Sequence, residues 1–90
     1  MSTKNVDLMS PAQCRAARAL LDITQSHLAR AAKLGLSTVV DFEKRRRTVS
    51  QEAVQAMQAA LRRSGVEFID ANGGGPGVRL RKAHGHGISK

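Results

Sequence analysis

Between residues 24 and 43 the apolar positions fall into two short helical registers. Leu28, Ala29 and Ala32 form one narrow apolar face, and Val39 and Phe42 repeat it at i, i+3. The pattern predicts two short helices joined by a tight turn. Thr24 is placed to cap the first helix and Gly35 the second. Ala29 matters most for the geometry, because a small inward side chain lets two helices cross closely at a steep angle.

The flanks supply further elements. Ser10-Pro11-Ala12-Gln13 opens a helix with a capping box and a proline at its first position; it runs from Pro11 to about Leu21 and carries Arg15 and Arg18. Ser50 starts another, with Val49 and Val54 spaced as a hydrophobic staple. That helix covers 51–64, turns Val54, Met57 and Leu61 inward, and stops at Gly65. Residues 1–9 read as a frayed arm and 83–90 as a mobile tail. Residues 66–70 and 78–82 are β-like around a glycine-rich loop, with Val78 and Leu80 alternating with Arg79 and Arg81. Such a hairpin is marginal alone, so it must pack on the helices or on another chain.

The pattern Gln25-x-x-Leu28-Ala29, then Leu34, Val39, Phe42 and Glu43, resembles the Cro and lambda-repressor type of helix-turn-helix, the xenobiotic-response-element family. The resemblance covers about residues 10–69. It implies a mainly α fold, a lambda-repressor-like four-helix domain, with a short C-terminal β-hairpin added. By position it places Leu36, Ser37, Thr38 and Asp41 toward the DNA major groove and Gln25 on the DNA backbone. It also pairs Arg18 with Glu43, the glutamate that closes the second helix of the motif. Some repressors of this kind pair C-terminal strands across a dimer, which makes Phe68 and Leu80 the dimerisation candidates. Two positions depart from the family pattern: Lys33 in the turn and Arg45 after the second helix stand where glycine is usual. Either they take a left-handed backbone, at roughly 1–2 kcal/mol each, or the turn is rebuilt around Gly35.

Charge sharpens the expectation. Fifteen Lys and Arg against seven Asp and Glu give a net charge of +8 and a pI near 11.2, the signature of a nucleic-acid footprint. A membrane-surface helix would want aromatics, and the chain has no Trp or Tyr and two Phe. No apolar run reaches the ~18 residues of a membrane span, and the first residues lack a signal-peptide core, so a cytoplasmic location is expected. The lone Cys14 excludes an internal disulfide and reads as a small packing residue. Scarce aromatics argue against single-strand binding, in which bases stack on such rings.

Each candidate has a bland alternative. Ser37 and Thr38 hydroxyls, the Leu36 side chain and an Asp41 carboxylate can all meet base edges, yet the same four would suit an exposed polar helix face. Gln25 and the free N–H groups of its helix end can meet a phosphate, or Gln25 is a plain helix-start residue. Lys44, Arg45, Arg46 and Arg47 would ordinarily be a solvated charge run, but their place after the groove-facing helix favours phosphate contacts. Arg18 and Glu43 read as a structural ion pair. His84 and His86 fall short of a closed metal site, and His27 is expected to face solvent.

These features divide the chain into an arm (1–9), a helix-turn-helix domain (10–65), a hairpin and dimerisation element (66–82) and a tail (83–90). The expected function is sequence-specific binding of double-stranded DNA as a small transcriptional regulator, a repressor acting as a homodimer on a palindromic operator. The alternative is an antitoxin or similar interaction module, in which the hairpin and tail bind a small protein partner and DNA binding serves autoregulation. No cofactor, metal or membrane is implied. Paired carboxylates in register and nucleophile–base spacing are both lacking, so an enzyme is not expected.

Overall fold

A computed structural model describes residues 8–71 and 73–81. Local capping chemistry defines where its helices begin. Helix α1, Pro11–Leu21, opens on the capping box: the Ser10 hydroxyl accepts from the Gln13 N–H, and the Gln13 side chain accepts from the Ser10 N–H. The Thr24 hydroxyl caps α2, Gln25–Ala32, and Ser50 caps α4, Gln51–Arg63. Caps of this kind are worth about 1 kcal/mol each. Helix α3, Leu36–Glu43, starts at Gly35 with no side-chain cap bond.

Helix ends are less orthodox. Asp22, Lys33 and Arg45 all adopt left-handed backbone, at φ 57°, 60° and 57°. The α2–α3 turn therefore keeps its usual shape with Lys33 in the glycine position. Gly35, at φ −71°, is ordinary extended backbone, so the turn is not rebuilt around it. At the end of α4 the residue with positive φ is Gly65, one position beyond the Ser64 cap.

The four helices enclose one core centred on Leu28, Val39, Met57 and Leu61, each at most 1% exposed. The arm expected over residues 1–9 is corrected at its inner end. Met9 is 3% exposed, and its N–H donates to Gln58 Oε1 at 3.0 Å. The physical reason is a second hydrophobic staple: Met9 precedes the Ser10 cap, Cys14 lies four residues inside the helix, and both join the core. Residues 1–7 and the tail 83–90, with His84 and His86, lie outside the described residues.

The chain then forms an antiparallel hairpin of β1, Val66–Ile69, and β2, Gly77–Leu80, with Val66 opposite Leu80 and Phe68 opposite Val78. Those four share one face of the ribbon. Val66 is fully buried, and Phe68 and Val78 pack against the same core as the helices. Gln13 fastens the loop end of the ribbon to α1: its Nε2 donates to the carbonyls of Gly77 (3.0 Å) and Ile69 (3.3 Å). The hairpin is thus continuous with the helical unit rather than a separate element.

Candidate nucleic-acid interface

The second helix of the motif, α3, is held at its far end and open at its start. Val39 is fully buried, whereas Leu36 is 47% exposed, Ser37 is exposed, and Thr38 and Asp41 are half-buried. The four residues expected to read bases therefore share one short helix but differ in availability. Asp41 is the most committed, since its carboxylate accepts from Arg47 Nε at 2.8 Å. With Oδ2 engaged by Arg47, a base contact from Asp41 falls to Oδ1 or competes with Arg47.

The basic run after α3 is exposed throughout, from Lys44 to Arg47. Its backbone is fixed by the Lys44 and Arg46 N–H groups, which donate to the carbonyls of Val40 and Asp41. Of the four side chains, only Arg47 is in an ion pair among the described residues. Lys44, Arg45 and Arg46 remain available to phosphate oxygens.

Glu43 anchors the helix. Its carboxylate, 1% exposed, receives Arg18 Nε on Oε2 and Arg18 Nη2 on Oε1, both at 2.7 Å, in the bidentate geometry that suits guanidinium. Cys14 Sγ donates to Oε2 at 3.1 Å, and Gln25 Nε2 to Oε1 at 3.0 Å. Arg15 Nη1 adds a 2.6 Å bond to the Glu43 backbone carbonyl, and Arg18 Nη1 reaches the Ile23 carbonyl. Burial alone would push the Glu43 carboxyl up, but the hydrogen bonds from Arg18, Cys14 and Gln25 outweigh it and hold it below its ordinary value. The same bond to Glu43 raises Arg18. Burial, then the bond to Glu43, pushes the Cys14 thiol well above its usual range, so it stays protonated as a donor.

Residue spacing in α1 could have revealed part of this network. Cys14, Arg15 and Arg18 lie at i, i+1 and i+4, a single strip of helix surface. Shared placement on that strip does not name the partners: the Glu43 carboxylate for Cys14, the Glu43 carbonyl for Arg15, and the hairpin carbonyls for Gln13. Gln25, expected on the DNA backbone, spends one amide donor on Glu43, which fixes its side chain beside the start of α2. Phe68, expected at a dimer interface, is half-buried on its own core with the Arg62 guanidinium 5.6 Å from its ring centroid. Leu80 is 48% exposed at the end of β2.

No group of three or more His, Cys, Asp or Glu side chains among the described residues could hold a metal ion. No helix among them is long and apolar enough to cross a membrane.

An open recognition-type helix, the packed α2–α3 pair joined by a tight turn and an exposed basic loop beside them define a helix-turn-helix DNA-binding domain. A model of the helix-turn-helix family, Cro/C1 type, matches residues 15–68, more than half of the chain, and the chain belongs to that family. It is a DNA-binding regulator of transcription of the helix-turn-helix kind, and the family is not an enzymatic one. No curated protein matches the chain.

Proposed function

We propose that the protein is a repressor that binds a palindromic operator as a homodimer, with α3 in the major groove of each half-site. Leu36, Ser37, Thr38 and Asp41 read base edges, while Gln25 and Lys44 to Arg47 contact the sugar–phosphate backbone. The observation that carries this reading is the polarity of α3: its first turn is exposed at Leu36 and Ser37, and its last residue is bolted to α1 and α2 through Glu43. One helix reads only a few base pairs, so two copies related by a two-fold axis, with half-sites ~34 Å apart, supply the missing information. Leu80 and the short, unpaired outer edge of β2 are the part of the hairpin available to a second copy. Occupying a promoter in this way is sufficient to repress it.

Salt dependence of binding to an operator duplex tests the proposal. A dimer making ~6–10 phosphate contacts gives a log–log slope of about −5 to −9. Replacing Arg45 and Arg46 with Ala should flatten the slope and leave the base preference intact. A flat dependence for the unmodified protein would overturn the assignment of the basic run.

A further inference from the structure

Helices α2 and α4 meet over a concavity of about 360 Å3 lined by Ala31, Ala32, Lys33, Ala56, Ala59 and Arg63. Four alanines make a shallow apolar floor, two cations stand on the rim, and none of the six residues is acidic. Neither cation has an ion-pair partner among the described residues. Arg63 Nη2 donates to the Ala31 carbonyl at 3.3 Å, which lays the guanidinium across the junction of the two helices. Lys33 is held at the C-terminal end of α2 by its N–H, which donates to the Ala29 and Arg30 carbonyls, so its side chain starts from a fixed point on the rim. Arg62 and Arg81 extend the same cationic end of α4, Arg81 Nη2 donating to the Arg62 carbonyl at 2.9 Å.

We infer that this groove docks an acidic amphipathic helix of a partner protein. A cleft between two packed helices accepts a third by interdigitating side chains. The apolar face of the incoming helix covers the alanine floor, and its carboxylates meet Lys33 and Arg63. A nucleic-acid backbone matches the charge but has no apolar face to cover the floor. The position of Arg63 also separates it from the basic loop, since α4 rises ~20 Å between Ser50 and Arg63.

The full chain is titrated against a fluorescent synthetic helix with leucine along one face and glutamate on both flanks. A counterpart with every glutamate replaced by lysine serves as the control. The acidic peptide should bind and the basic one should not. Lys33→Gly combined with Arg63→Gln should weaken binding by about tenfold or more, with duplex DNA affinity and its salt slope unchanged. Lys33→Gly removes the charge while relaxing the left-handed turn, so it leaves the fold intact. Binding of neither peptide, or equal binding by the double variant, would overturn the inference. So would a shallower salt slope for DNA in the double variant, which would make the two cations phosphate contacts.

Discussion

Replacing Glu43 with Ala removes a group on which three helices converge. In the intact protein its carboxylate accepts from Arg18 twice, and from Cys14 and Gln25 once each. After truncation Arg18 keeps only its bond to the Ile23 carbonyl, and its guanidinium is left largely without counter-charge. Breaking a buried pair from one side costs about 3–5 kcal/mol. Arg18 retains 20% side-chain exposure, so water recovers part of that loss, and a value near ~3 kcal/mol is expected. For a domain of this size that corresponds to a fall in Tm of roughly 12–24 °C. Thermal melts followed by circular dichroism measure it, and a double-mutant cycle with Arg18→Met isolates the coupling. The double variant should be clearly less destabilised than the sum of the singles, by at least ~1 kcal/mol. A loss below ~1 kcal/mol for Glu43→Ala, or strict additivity in the cycle, would refute the anchoring argument. Acid gives an independent check. The Glu43 carboxyl is held below its ordinary value of 4.5, so its contribution is complete above that pH and is lost as pH falls through the folded-state value. Glu43→Gln should therefore lose less stability than the unmodified protein on acidification below pH 4.5.

Three further outcomes follow from single features of the structure. Lys33→Gly should stabilise the domain by roughly 1 kcal/mol in denaturant titrations, because glycine adopts φ 60° without a Cβ clash; unchanged stability would show that the lysine backbone is unstrained. Changing Ser37 or Asp41 should shift base preference by ~1–3 kcal/mol at a given position with little effect on Tm, whereas lost folding with unchanged preference would misplace the reading helix. Leu80→Glu should leave each subunit folded with a cooperative melt, because the side chain is 48% exposed on the single chain, and should remove any concentration dependence of Tm. The same variant should convert a dimer to a monomer by light scattering; a dimer that survives it would place the interface on the helices.

Much of the fold was legible because it depends on local chemistry. Ser10, Thr24 and Ser50 cap helices at the residues where their sequence context says they should. Ala29, expected to face inward from its small size and position, is 3% exposed in the core. The hairpin was harder. Alternation marks Val66 to Ile69 and Gly77 to Leu80 to within one or two residues, but alternation is silent about which surface a ribbon packs on. That choice depends on Val66 filling the core and on Gln13 reaching carbonyls more than 50 residues away along the chain. A truncation after Gly65 would therefore expose a hole in the core as well as remove an edge, which is why Leu80→Glu is the cleaner probe of assembly. At the proposed DNA-facing surface, helix spacing places Leu36, Ser37, Thr38 and Asp41 on α3, but the Asp41–Arg47 bond depends on the path of a loop with no periodicity. The Cys14 thiol illustrates the same limit. Composition marks it as a small buried residue, and only the folded geometry makes it a donor to Glu43.

The most direct test of sequence-specific DNA reading is selection of bound duplexes from a random library with the full-length protein. The account predicts a two-fold symmetric consensus with half-sites about one helical turn, ~34 Å, apart. Recovery of unrelated sequences bound only through charge, with no enriched half-site, would contradict it.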